Sequence, residues 1–252
     1  MNSLLRGNKD GSVQFNCFSP PVMIATFVIE LALACYTVWR YKLNSVGRLV
    51  VAMLLTLALF QLCEYNVCGH SGFAASVWSR IGYVAITALP ALGLHLLHII
   101  AKKPGRKLVG FAYATMVGFS VYFLLAPHAF NGYACTGNYV IFQIGSGPAM
   151  AYSLYYYGWL FTALLLGWRW ARASFASGEK KRAQAVQWLM AAYLVFIVPT
   201  ITVNMLNPET LRGVPSIMCG FAVLCALILV FFVLPRTGTL RQAGHHQTNH
   251  KG

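Results

Sequence analysis

Charge is what this chain has least of. Only 10% of its 252 residues are Asp, Glu, Lys or Arg, whereas a soluble domain carries about 25%. Acids are scarcer still: Asp10, Glu30, Glu64, Glu179 and Glu209 complete the set. A water-facing surface cannot be made from so few charges, so the solvent of this fold is lipid. Other absences narrow the chemistry. A single aspartate excludes an intramembrane aspartyl protease, which needs two. No Cys-x-x-Cys pair and no His-Glu-x-x-His stretch occurs, which removes the thiol-redox, zinc and metalloprotease motifs. The last apolar run has no lysine for a retinal Schiff base. The first nineteen residues lack the apolar core of a cleavable signal peptide. No catalytic set, metal site or cofactor is expected, and the chain does not read as an enzyme.

What is present is apolar: 58% of the residues are hydrophobic. Seven stretches reach the roughly 20 residues needed to cross a bilayer. They are 21–41, 47–68, 75–101, 107–128, 148–169, 182–205 and 214–235. Lipid offers no partner to an open backbone, so each is expected to be helical. The expectation is an all-α integral membrane bundle of seven transmembrane helices. Residues 1–20 form an extracytoplasmic segment, 21–235 the membrane domain, and 236–252 an unstructured cytoplasmic tail.

The net charge of +14 supplies orientation. Arg40, Lys42 and Arg48 flank the first connection; Lys102, Lys103, Arg106 and Lys107 flank the third. Arg169, Arg172, Lys180, Lys181 and Arg182 flank the fifth, and Arg236, Arg241 and Lys251 lie in the tail. Basic residues stay cytoplasmic during insertion, so the N-terminus is expected outside and the C-terminus inside. Basic blocks between apolar runs do not form the contiguous basic face of a nucleic-acid binder.

Ionisable groups inside a membrane are costly and therefore suspect. Glu30 lies midway along the first span with no charged partner evident, either protonated and hydrogen-bonded or part of a proton or cation path. Glu64 closes the second span, with Gln61 and Cys68 on its face, and Arg80 opens the third a short loop away. A Glu64–Arg80 ion pair would clamp that hairpin; the same two groups with Gln61, Tyr156 and Asn204 would line an outward ligand-binding mouth. The tyrosines at 152, 155, 156 and 157 with Trp159 suit an interfacial aromatic belt better than a pocket. The uncharged loop 129–147 is expected to pack over the helix ends.

Cys17, Cys68 and Cys135 fall on the outer side, where disulfides persist. Cys68–Cys135 is the leading pair, and Cys17 with either is the rival. His95 and His98 share a face of the third span, without the cross-helix partner that a bis-histidine haem needs. His245, His246 and His250 belong to the polar tail and are not read as a metal site.

The third span reads Trp78-Ser79-Arg80-Ile81-Gly82-Tyr83, with Pro90 seven residues on. This W-x-R-x-x-Y-x6-P spacing resembles the N-terminal seven-helix sensor region of bacterial and archaeal histidine kinases. Glu64 before the tryptophan, Tyr156 and Tyr157 in the fifth span, the basic run 180–182, and Pro199 and Asn204 agree more loosely. The resemblance implies a sensory module in the cytoplasmic membrane of a prokaryote, with Trp78, Arg80, Tyr83, Pro90 and Glu64 as motif positions. Seventeen residues follow the last span, so no kinase domain is expected in this chain; a sensor cut from a longer chain fits equally. The leading expectation is a stand-alone receptor-like sensor. It would detect a small molecule, lipid or membrane state and relay it to a cytoplasmic or membrane signalling partner. The alternatives are a small transporter or channel using Glu30 and the polar face of the second span, and a structural subunit of a membrane complex.

Overall fold

The computed structural model describes residues 20–69, 74–135, 140–206 and 221–238. It is all-α apart from one hairpin. The helices are α1 (Pro20–Arg40), α2 (Ser45–Gly69), α3 (Ala75–Ala101), α4 (Arg106–Leu125), α5 (Ser146–Ala176), α6 (Lys180–Leu206) and α7 (Ala222–Ile228). The last continues through a π-helical turn, Leu229–Val233, into a 3-10 turn, Leu234–Thr237. Four of them, α1 to α4, are long and apolar enough to cross a membrane. The tyrosines of α5, and the basic residues and glutamines that open α6, dilute two helices of comparable length.

Local chemistry sets the ends. Asn44 accepts the Gly47 N–H at 3.0 Å, satisfying a donor that the first turn of α2 would otherwise leave open. At the far end of α3, Lys102 takes the left-handed conformation (φ 51°) and the Lys103 N–H closes back on the His98 carbonyl, a Schellman stop. Gly178 (φ 78°) ends α5 in a related way, with the Glu179 N–H on the Ser174 carbonyl. This helix therefore runs two turns beyond the expected Arg169, because no breaker precedes the Ser177-Gly178 pair.

Helix α3 is the axis of the bundle. It packs against α2, α4, α5 and α6, and more than half of its residues are buried. The pairs α1–α2, α5–α6, α6–α7 and α1–α7 close the ring around it. Helix α4 sits outside, with only Ala112 and Phe123 buried. The exterior is apolar, with Trp39, Leu125, Leu154, Leu165 and Met205 all more than 60% exposed, while Glu30, Thr37, Gln61, Glu64 and Thr87 are buried. Polar inside and apolar outside is the arrangement a lipid solvent demands.

The described parts of the segment 129–147 pack against the bundle as two paired strands, where a loop is expected from the sequence. Strands β1 (Phe130–Cys135) and β2 (Val140–Ile144) pair antiparallel, with an irregularity between Phe130 and Gly132. The hairpin seats Phe130 and Phe142 on the bundle.

Candidate functional site

The motif residues of α3 organise the hairpin end of the bundle. Tyr83, 2% exposed, is surrounded by Phe123 of α4, Phe130 and Phe142 of the hairpin, and Tyr152 of α5. The centroid distances are 4.8, 5.0, 5.2 and 5.7 Å. Edge-on and tilted contacts of this kind suit the quadrupoles of the rings. One turn further along, the Thr87 hydroxyl donates to the Tyr83 carbonyl at 2.6 Å and lies 3.1 Å from the Tyr152 hydroxyl. The Tyr155 hydroxyl donates to the Thr87 carbonyl at 2.6 Å.

These bonds lie just before Pro90, which has no N–H to return to the preceding turn. Polar cross-links from α5 thus fall where the α3 backbone is weakest. Trp159 adds a link between α5 and α4, its Nε1–H donating to the Thr115 hydroxyl at 3.1 Å. Tyr152, Tyr155, Tyr156 and Trp159 are all buried, so the interfacial belt expected of them is not what they form. The Tyr152 and Tyr155 hydroxyls and the Trp159 ring N–H have partners inside the bundle, as buried aromatic polar groups require.

Arg80 does something the sequence did not suggest. Nη1 donates to the Phe123 and Leu124 carbonyls, both at 2.9 Å, and Nη2 to those of Ala126 (2.9 Å) and Pro127 (3.4 Å). The guanidinium caps the C-terminus of α4, where orphan carbonyls and the negative end of the helix dipole meet a cation. The expected Glu64–Arg80 clamp is therefore not formed.

Glu64 (2% exposed) and Gln61 (3%) share the buried face of α2, and Tyr156 packs on Tyr152 and Tyr157 in α5. Trp78 is half-buried against the core. The Asn204 side chain lies outside those described. Cys68 is disulfide-bonded, while Cys35, Cys63 and Cys225 are free. The side chain of the expected partner, Cys135, and the whole of the rival, Cys17, lie outside the described residues, as do Asp10, Glu209, Arg212 and the three tail histidines.

A second polar group lies deeper. Glu30 of α1 is fully buried, and neither carboxyl oxygen has a hydrogen-bond partner among the described residues. It interacts electrostatically with Glu64 of α2 and with Cys225 of α7, which in turn interacts with Tyr193 of α6. Three helices, α1, α2 and α7, thus meet near this acid. No group of three metal-binding side chains occurs among the described residues. Thr87 and Tyr193 carry no mark in the sequence, and Cys225 reads there as a small apolar core residue. The available signal was a lone polar side chain in an apolar run, which Thr87 and Tyr193 share with many residues of no consequence.

The two α3 histidines are structural. His95 Nδ1 lies 3.0 Å from the Tyr113 hydroxyl. His98 Nδ1–H donates to the Leu94 carbonyl (2.9 Å), and its ring stands edge-on to Trp170 at 4.8 Å. Gly105 admits that ring: a Cβ there would lie 1.9 Å from His98 Cδ2, whereas one on Gly110 would meet nothing within 4 Å. Gly105→Ala is expected to cost about 2 kcal/mol through overpacking. Gly110→Ala should be neutral or stabilising, since alanine is the better helix former. Melting both variants in detergent tests this, and equal midpoints would refute the His98 wedge.

No family model matches this chain, and neither does any curated protein or solved structure.

Proposed function

We propose that the chain is a seven-helix membrane sensor with its hairpin end outside and its basic end cytoplasmic. It registers a ligand or membrane state at the outer half and relays it to a separate partner through helix packing. The observation that carries this reading is the continuous path from the hairpin through Phe130 and Phe142 to Tyr83, then Thr87, and so to Pro90 in the central helix. An outer segment is in this way coupled to the most deformable point of the axis. Relay requires that the signal favour one of two packings, and the proline-interrupted α3 with its hydroxyl cross-links is the element we assign to that role. Gln61, Glu64, Tyr156 and Asn204 are the ligand-facing candidates. The disulfide of Cys68 is assigned to Cys135, tying the hairpin to α2.

Native mass spectrometry on protein extracted in mild detergent from its host membrane tests the relay. A stoichiometric complex with a kinase, cyclase or regulator is expected. In Tyr83→Ala, which removes the hub but leaves the basic end untouched, that complex should become several-fold less abundant. A second reading rests on Glu30: an orphan buried carboxyl also suits a proton or cation path. Isolation of the protein alone, together with flux in proteoliposomes that disappears in Glu30→Gln, would replace the sensor with a transporter.

A further inference from the structure

The basic end of the bundle contains a cavity that the sensing path does not use. It measures about 580 Å³ and lies where the end of α3, the α5–α6 turn, the start of α2 and the 3-10 end of α7 meet. Its floor is apolar, including Ile99 and Ile100, and its rim carries Lys102, Lys180, Lys181, Arg182 and Arg236 against a single acid, Glu179. Arg182 is paired with that acid, leaving four cations around the opening without an acidic partner among the described residues. We propose that this cavity is a binding site for a phosphate-bearing anion, either the headgroup of an acidic phospholipid or a soluble phosphorylated ligand.

Three observations go beyond the charge count. The site is built from segments distant in sequence, so the cations converge by folding and not by adjacency alone. Arg236 is pre-positioned: its Nη1 donates to the Phe232 carbonyl at 2.8 Å, and its guanidinium lies over the Trp188 ring at 5.6 Å. A guanidinium has five N–H donors, so most remain for a phosphate. Lys102 is the one non-glycine residue with positive φ among those described. Glycine adopts that conformation without the steric penalty, yet the position carries a side chain that reaches the cavity rim. A cationic rim over an apolar floor matches a phosphate group with a glycerol or acyl root beneath it, and basic pockets between helices at the cytoplasmic face bind such headgroups.

The lipid arm rests on the membrane reading above, whereas binding itself is measured on isolated protein and does not depend on any signalling partner. Delipidated protein is titrated in detergent with dioleoyl-phosphatidylglycerol, dioleoyl-phosphatidylcholine and inorganic pyrophosphate, and bound species are counted by native mass spectrometry. Phosphatidylglycerol is expected to bind in preference to phosphatidylcholine. Its occupancy should fall about five-fold for each lysine removed, in Lys102→Gly and in Lys181→Gln. Lys102→Gly suits the backbone, so its melting point is expected to be unchanged or raised. Glu179→Gln, which frees Arg182, should bind more tightly. Pyrophosphate that binds and displaces the lipid assigns the site to a soluble ligand; lipid that resists displacement assigns it to a headgroup. Equal binding of both lipids with no bound pyrophosphate, or variants indistinguishable from wild type, overturns the proposal.

Discussion

Arg80→Ala is expected to destabilise the protein by on the order of 3 kcal/mol, and to do so by releasing α4. Hydrogen bonds from a charged donor contribute about 1.5–3 kcal/mol each, and less than additively when one group makes several. The guanidinium makes four, to the carbonyls of Phe123, Leu124, Ala126 and Pro127. Apart from the Thr115–Trp159 and Tyr113–His95 bonds and the rings around Phe123, α4 is held lightly, since only Ala112 and Phe123 are buried. The loss should therefore be local before it is global. Hydrogen exchange is expected to accelerate in residues 116–127 at temperatures where α2 and α3 remain protected. Arg80→Lys should recover only part of the loss, since an ammonium is a point charge and cannot fork across carbonyls on successive residues. Uniform acceleration across the bundle, or full recovery by lysine, would refute the capping role.

This assignment gives part of the W-x-R-x-x-Y-x6-P spacing a physical meaning. Arg80 fixes the end of α4, and Tyr83, three residues on and on the same side of the helix, collects the rings of α4, α5 and the hairpin. Thr87 extends that face to the turn before Pro90. A ligand arriving near the hairpin would meet side chains whose positions all depend on one stretch of α3.

How much of this could be read beforehand follows from what each feature rests on. The span 75–101 is legible to the residue, because a long apolar run between a polar loop and a basic block has one interpretation. The hairpin is not legible: the Asn-Gly pair of 130–144, Asn131-Gly132, falls inside β1 at its irregularity, and the uncharged composition argues only that the segment packs somewhere. The partner of Arg80 is hidden for a different reason. Sequence displays acids, so an arginine is matched to the nearest carboxylate, whereas helix-end carbonyls carry no letter of their own. The tyrosines of α5 show the same limit. An aromatic with a hydroxyl serves equally at a lipid boundary or inside, and only the position of Thr87 decides. Glu30 stands out in the sequence because charge is rare enough in this chain for the absence of a nearby partner to be visible.

That unpaired acid yields the other large effect. Glu30→Met, of similar volume and without polar atoms, is expected to raise the thermal midpoint by several degrees. A buried polar group left without hydrogen bonds costs about 1–3 kcal/mol, and both oxygens of Glu30 are in that position. Glu30→Gln should recover less, because the amide brings its own donors and acceptor into the same surroundings. If Glu30 were merely structural, the more stable methionine variant would also be the fully functional one. The opposite is expected: the complex with the signalling partner, or flux if the transporter reading holds, should be lost while stability improves. A stability gain at the expense of activity is the pattern expected where a destabilising group serves function. A methionine variant that melts lower than wild type would mean that Glu30 contributes a stabilising interaction, and would remove the ground for treating it as a site.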